Sequence, residues 1–196
     1  MDVEAVVAPV TAAGWADLET VFGTRGDPAR CWCQWFYAGA EVGGGAVGER
    51  NREALHTQVR QGPAPGVLAH RGGEPVGWCA VAPRPTYTRL QRSEVLRGTP
   101  AAELADPAVW SVTCFVVRVG HRRGGLSRVL LDGAVRLARE GGARVVEGYP
   151  VDVTAKARTS SAELYHGPLS TFLAAGFREV ARPRPARPVV RLELAP

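Results

Sequence analysis

Val117-Arg-Val-Gly-His-Arg-Arg-Gly-Gly-Leu-Ser-Arg-Val-Leu-Leu131 joins a long apolar run to an amphipathic one, and the fold is decided at that join. Before it, residues 109–117 are almost continuously apolar, the pattern of a strand covered on both faces. After it, Leu126, Val129, Leu130, Leu137 and Ala138 share one face of a helix predicted over 124–140. Arg128, Asp132 and Arg136 fall four apart on the other side. Gly141-Gly142 ends that helix, and 143–149 reads as a second buried strand. Strand, helix of about four turns and strand make a βαβ unit, so the two strands run parallel. The join itself is an anion cradle. A helix start leaves backbone N–H groups unpaired and its dipole end positive, while Gly124 and Gly125 let a phosphate approach the backbone. Arg122, Arg123 and Arg128 add charge. The same residues also read as a plain strand-to-helix turn with exposed arginines.

Working outward, valine-rich residues 3–10 predict a first strand. A helix capped by Thr11 follows to about Phe22, with Trp15, Leu18 and Phe22 on one face. Gly23 to Asp27 reads as a loop leading into the aromatic stretch Cys31-Trp-Cys-Gln-Trp-Phe-Tyr37, and residues 39–48 as a Gly/Ala connection. A helix over 49–61 stops at Gly62-Pro63, and 66–70 with 75–81 form a hairpin around Arg71-Gly-Gly-Glu74. Residues 83–108, with Pro83, Pro85, Pro100 and Pro107, are a long excursion. Past 149 come a loop, a short helix over 168–175 closed by Gly176, and an antiparallel hairpin across the Pro-rich turn at 182–188. The expectation is one mixed α/β domain over residues 1–196.

Composition narrows the class. The chain has 196 residues, 45% apolar and 22% charged, enough to bury a core without a metal or disulfide. No apolar run approaches the ~18 residues that span a bilayer, and Met1-Asp2-Val3-Glu4 carries acid where a signal peptide is basic. These point to a soluble cytoplasmic chain without a membrane partner. Twenty-four basic residues against 19 acidic give +5, and all the basic ones but Lys156 are arginine. Net charge alone does not choose among nucleic acid, an acidic surface and a small polyanion. No aromatic–basic interleaving marks a single-strand binder, so nucleic acid is not expected. Cys31, Cys33, Cys79 and Cys114 form no Cys-x-x-Cys pair, and the histidines at 56, 70, 121 and 166 complete no zinc spacing; no metal is expected. Gly43-Gly-Gly45-Ala-Val-Gly48 satisfies G-x-G-x-x-G but lacks the strand before it and the βαβ unit after it, and reads as a loop.

The segment Arg122-Arg-Gly-Gly125-Leu-Ser127 resembles the pyrophosphate loop of the GNAT superfamily of acyl-CoA-dependent N-acyltransferases, whose pattern is R/Q-x-x-G-x-G/A, with Ser127 in the last place. The preceding strand, the following helix and Phe172-Leu-Ala-Ala-Gly-Phe177 extend the resemblance over nearly the whole chain. It implies a mixed, mostly antiparallel sheet with a central splayed parallel pair of strands flanked by helices. It further implies that acetyl-CoA is the acyl donor. Phe115, Val116 and Val117 would pair with its pantetheine arm, and Arg122, Arg123, Gly124, Gly125, Leu126, Ser127 and Arg128 would hold the pyrophosphate.

Acyl transfer to an amine needs a neutral nucleophile, a polarised carbonyl, a protonated leaving thiolate and alignment, which alone is worth about 7–11 kcal/mol. The tyrosine that commonly supplies the proton in that family falls here at Phe172, so Tyr165, Ser170 or water are the candidate donors. Glu147 is the leading base, on one strand face with Val145 and Tyr149, or else an arginine-paired structural carboxylate; Asp152 is next. Trp32 and Trp35 form either an aromatic wall of the acceptor site or core. The acceptor is expected to be a small-molecule amine walled in by the 83–108 excursion, attacked directly because no Cys–His pair is evident. An acyl carrier protein as donor partner, a non-catalytic acyl-CoA sensor and a homodimer remain open.

Overall fold

The computed structural model describes residues 4–37, 47–97 and 99–195. The expected glycine-rich connection, with Gly43 to Gly45 of the G-x-G-x-x-G pattern, lies outside them up to residue 46. Seven strands form one sheet in the order β1 (Ala5–Pro9), β2 (Gly66–Arg71), β3 (Glu74–Pro83), β4 (Val109–Val117), β5 (Val145–Gly148), β7 (Arg187–Glu193), β6 (Arg178–Arg184). Every neighbouring pair is antiparallel except β4 and β5 at the centre, so the predicted parallel pair is observed.

The helix predicted from 124 starts two residues later, as α5 (Leu126–Glu140); the other helices are α1 (Trp15–Phe22), α2 (Gly26–Cys31), α3 (Val47–Gln61), α4 (Ala101–Leu104), α6 (Ser161–Leu164) and α7 (Leu169–Ala174). α5 buries Leu126, Leu130, Leu131, Ala134 and Ala138 against one sheet face, where Val67, Val76, Trp110 and Phe115 meet them. Each fully buried leucine of that stripe contributes about 1.5–3 kcal/mol over an exposed one. The opposite face carries α1, α2 and α3: Leu18, Phe22, Leu55 and Val59 close over Trp78, Ala80 and Val116. Part of the 83–108 excursion seals that face further along, with Tyr87, Leu90 and Leu96 packed on Tyr149 and Val189. β4 is therefore buried on both sides, which is why its sequence does not alternate.

Three local expectations are corrected. Thr11 makes no side-chain cap; a 3-10 turn at Ala12–Gly14 leads into α1 instead. The loop expected at 23–27 gives way to α2, and α6 is a helix where only loop was expected. Short helices held by tertiary packing carry too few turns for a periodic signal.

β4 contains the detail that shapes the site. Its register with β3 passes from Ala80↔Cys114 to Val81↔Val112, so Thr113 is an extra, bulged residue. The bulge resets the side-chain alternation. Trp110 and Val112 face α5 before it, Phe115 faces α5 after it, and Cys114 and Val116 turn to the other face. Pairing with β5 covers only Val109–Val112 against Val145–Gly148. Beyond that the strands diverge, and residues 165–169 enter the gap as a wedge. On the β4 side, Phe115 N–H donates to the Tyr165 carbonyl at 2.6 Å. On the β5 side, Val151 N–H donates to Gly167 and Leu169 N–H to Val151, both at 2.9 Å.

Candidate active site

Two clefts meet at this divergence, one on each face of the sheet. The first, of about 410 Å³, opens where β4 turns into α5. Phe115 and Val117 form its floor; Arg122, Arg123, Gly125, Leu126, Ser127 and Arg128 form its rim, with Tyr165 on the opposite wall. Gly125 is the N-cap of α5 with φ +74°, a left-handed conformation that suits glycine, and a Cβ there would meet nothing within 4 Å. The loop thus leaves room above its backbone. Arg122 Nε donates to the Val117 carbonyl at 3.1 Å and Arg128 pairs with Asp132 at 3.0 Å, while Arg123 makes no ion pair among the described residues.

Of the ten residues expected to hold the donor, eight line this cleft. Gly124 belongs to the same loop without lining it. Val116, expected to pair with the donor arm through its backbone, turns its side chain to the other face, where it lines the second cleft. Pairing of a donor arm along β4 is also constrained, because the Phe115 N–H already serves the Tyr165 carbonyl.

The second cleft, of about 500 Å³, lies under α1 and α2. Phe22, Pro28, Trp35, Phe36 and Val116 give it apolar walls; Asp27, Thr113, Tyr165 and His166 add polar groups. Trp35 lines it under the Arg89 guanidinium, 4.0 Å above the ring. Trp32 does not line it; it is buried in core, its ring 4.6 Å from that of Phe22. The 83–108 excursion was expected to wall this cleft, and none of its described residues lines it.

The catalytic candidates separate. Among the described residues, Tyr165 alone lines both clefts. Burial, then the charge of Asp27, raises its pKa above the ordinary tyrosine value, so at neutral pH it holds its proton. Glu147 lines neither cleft. It is fully buried, with Arg84 Nη1 at 3.1 Å, Arg191 Nε at 2.7 Å and the Tyr149 hydroxyl donating to it at 2.6 Å. This is the arginine-paired arrangement, and Arg84 is itself fully buried. Asp152 also lies outside both clefts. It accepts from Thr154 and pairs with Arg182 at 2.8 Å, contacts that hold its pKa down to about 2. Ser170 lines neither cleft, and Phe172 is buried against Phe115 and Phe177. Sequence reasoning missed Thr113 and His166. Neither a bulge nor a lone histidine leaves a pattern in one sequence.

The acetyltransferase (GNAT) family model matches residues 15–167. The chain belongs to the GNAT acetyltransferase family. No curated protein matches this acetyltransferase. Solved structures similar to it include the GNAT domain of S. lividans PAT, 18% identical with a TM-score of 0.56 over 97% of this chain and 90% of that one. Ribosomal-protein-alanine N-acetyltransferase from Brucella melitensis is 17% identical, TM-score 0.55, over 96% and 99%. PaiA N-acetyltransferase from Thermoplasma acidophilum, in complex with coenzyme A, is 12% identical, TM-score 0.54, over 97% and 99%. At such identities they establish the fold. The family's acyl donor is acetyl-CoA, and the first cleft of this acetyltransferase fits such a ligand: a bare glycine loop, a helix start and Arg123 without an ion pair among the described residues at one end, and the stretch of β4 beyond its pairing with β5 at the other.

Proposed function

We propose that this acetyltransferase moves an acetyl group from acetyl-CoA onto the primary amine of a small, largely apolar molecule held in the second cleft, by direct attack. The observation that carries the reading is Tyr165, shared by two clefts on opposite faces of the sheet. Acetyl-CoA, when bound, supplies an activated thioester. The chain's own residues do the rest. The loop 122–128 and the start of α5 hold negative charge through backbone N–H groups and arginine. Tyr165 carries the proton that a leaving thiolate needs. Phe22, Trp35 and Phe36 exclude water from the acceptor's body, and Asp27 sits at that cleft in reach of a second positive group.

Direct attack is favoured over an acyl-enzyme at Cys31 or Cys33, because those two thiols are not activated. Cys31, Cys33 and Cys114 line the second cleft, but burial pushes the Cys31 thiol up to about 11 and raises Cys33 well above its ordinary value. Titration calorimetry with acetyl-CoA, followed by competition with free CoA, tests the donor; no binding below millimolar overturns the reading, and failure of CoA to compete favours a carrier protein. Thiol release against a panel of primary amines tests the acceptor. Tyr165→Phe is expected to lower kcat ~10²-fold and leave acetyl-CoA affinity within about threefold. An unchanged kcat removes Tyr165 from the chemistry.

A further inference from the structure

The reading above supplies a proton donor and no proton acceptor, since Glu147 and Asp152 stand outside both clefts. The second cleft holds one group whose protonation state is set by geometry. His166 Nδ1 lies 3.0 Å from the carbonyl oxygen of Thr113. A carbonyl oxygen only accepts, so Nδ1 carries the hydrogen and Nε2 of the neutral ring keeps its lone pair. Nε2 has no hydrogen-bond partner among the described residues. The ring lines the cleft next to Tyr165, and its centroid is 5.7 Å from that of Phe36.

The anchor is the bulged residue of β4. Thr113 is 2% exposed and lines the same cleft, and its hydroxyl also has no hydrogen-bond partner among the described residues. That hydroxyl is enclosed beside the Tyr87 side chain, so Thr113 acts on the imidazole through its carbonyl. The charged groups acting on the ring are Arg187 of β7, which opposes protonation, and Glu163 of α6, which favours it. Burial, helped by Arg187, outweighs the Thr113 carbonyl and Glu163 and holds the imidazole down to about 4, so the base form is the one present at neutral pH.

We propose that His166 is a catalytic residue, the base that takes the proton from the acceptor nitrogen. This rests on the acetyltransferase reading. The amine lone pair forms the new C–N bond, and one N–H proton passes to His166 Nε2. The electron pair of the broken C–S bond stays with sulfur, which takes the Tyr165 hydroxyl proton. The imidazolium then returns a proton to the phenolate through solvent, so amine and thioester have become amide and thiol. A nitrogen that has given its lone pair to an acyl carbon is far more acidic than a free ammonium, so an imidazole of lowered pKa can serve.

Imidazole ¹⁵N NMR on the full chain tests the state of the ring without any substrate. His166, assigned by its absence in His166→Gln, is expected to hold its hydrogen on Nδ1 and to titrate near pH 4. A hydrogen on Nε2, or titration near the ordinary ~6.5, overturns the proposal. Kinetics then use acetyl-CoA and the best acceptor from phenethylamine, tyramine, hexylamine and glycine-led dipeptides. His166→Gln keeps a donor for the Thr113 carbonyl and loses the lone pair. It is expected to lower kcat ~10²-fold or more, with KM for acetyl-CoA within about threefold and melting temperature near that of wild type at pH 7.5. A folded His166→Gln chain of wild-type kcat overturns the role and leaves the acetyltransferase reading intact. A wild-type chain that acetylates none of these amines overturns the small-amine reading and the role together.

Discussion

Replacing Glu147 by glutamine removes the only carboxylate that Arg84 meets among the described residues, and Arg84 has no exposed surface on which to find water. Breaking a buried pair from one side typically costs about 3–5 kcal/mol. Glu147→Gln is therefore expected to lower the melting temperature markedly while the folded fraction keeps close to wild-type kcat. Melting curves and kinetics on one preparation check this; a stable variant with kcat reduced ~10²-fold would return Glu147 to the chemistry. The contrast with Tyr165 and His166 is one of surroundings. All three side chains sit near the parallel strands, but Glu147 spends both oxygens on arginines and a tyrosine, whereas the other two present unengaged atoms to a cleft.

Two glycines carry predictions about elements. Gly125→Glu sets bulk and negative charge where the loop meets the start of α5, at a φ of +74°; acetyl-CoA binding by calorimetry should vanish, and retained affinity would mean the loop holds something else. Gly167, at φ +78°, lies in the wedge, and a Cβ there would come within 3.0 Å of the Phe115 ring and 3.1 Å of Phe172. Gly167→Ala should destabilise the chain by about 1–3 kcal/mol, read from urea denaturation, and depress turnover beyond the loss of folded protein. The two elements differ in how far their sequences announce them. β4, the turn, α5 and β5 were legible because a strand buried on both faces and a helix with one greasy stripe leave opposite periodicities on either side of two glycines. The wedge was not, since Tyr165-His-Gly-Pro168 has no period and owes its place to hydrogen bonds with residues 113, 115 and 151. That Phe115 and not Val116 faces α5 was hidden for a related reason: a one-residue bulge is a property of pairing, absent from either strand alone.

At the scale of the whole molecule, acid should loosen the fold in two windows. His166 is held down to about 4 from 6.5, and Glu163 and Asp152 to about 2 from 4.5 and 3.8. In each window the unfolded chain binds more protons than the folded one, so stability falls as pH falls. The melting temperature should drop between about pH 6.5 and 4 through His166 and again toward pH 2 through the carboxylates. His166→Gln should flatten the upper window alone. The outer edges of the sheet are poorly suited to recruiting further strands: β6 is exposed throughout and carries Arg178, Glu179, Arg182, Pro183 and Arg184, and β1 ends at Pro9. Wedge and sheet together also separate traffic. Because 165–169 fill the gap between β4 and the chain beyond β5, the donor and acceptor of the proposed reaction would approach from opposite sides, with neither entrance behind the other. Loading should then follow no compulsory sequence, and the two products should depart by separate doors. Initial-rate lines should intersect, with CoA competing against acetyl-CoA and the acetylated product competing against the amine; parallel lines would instead mean that CoA must leave before the amine arrives.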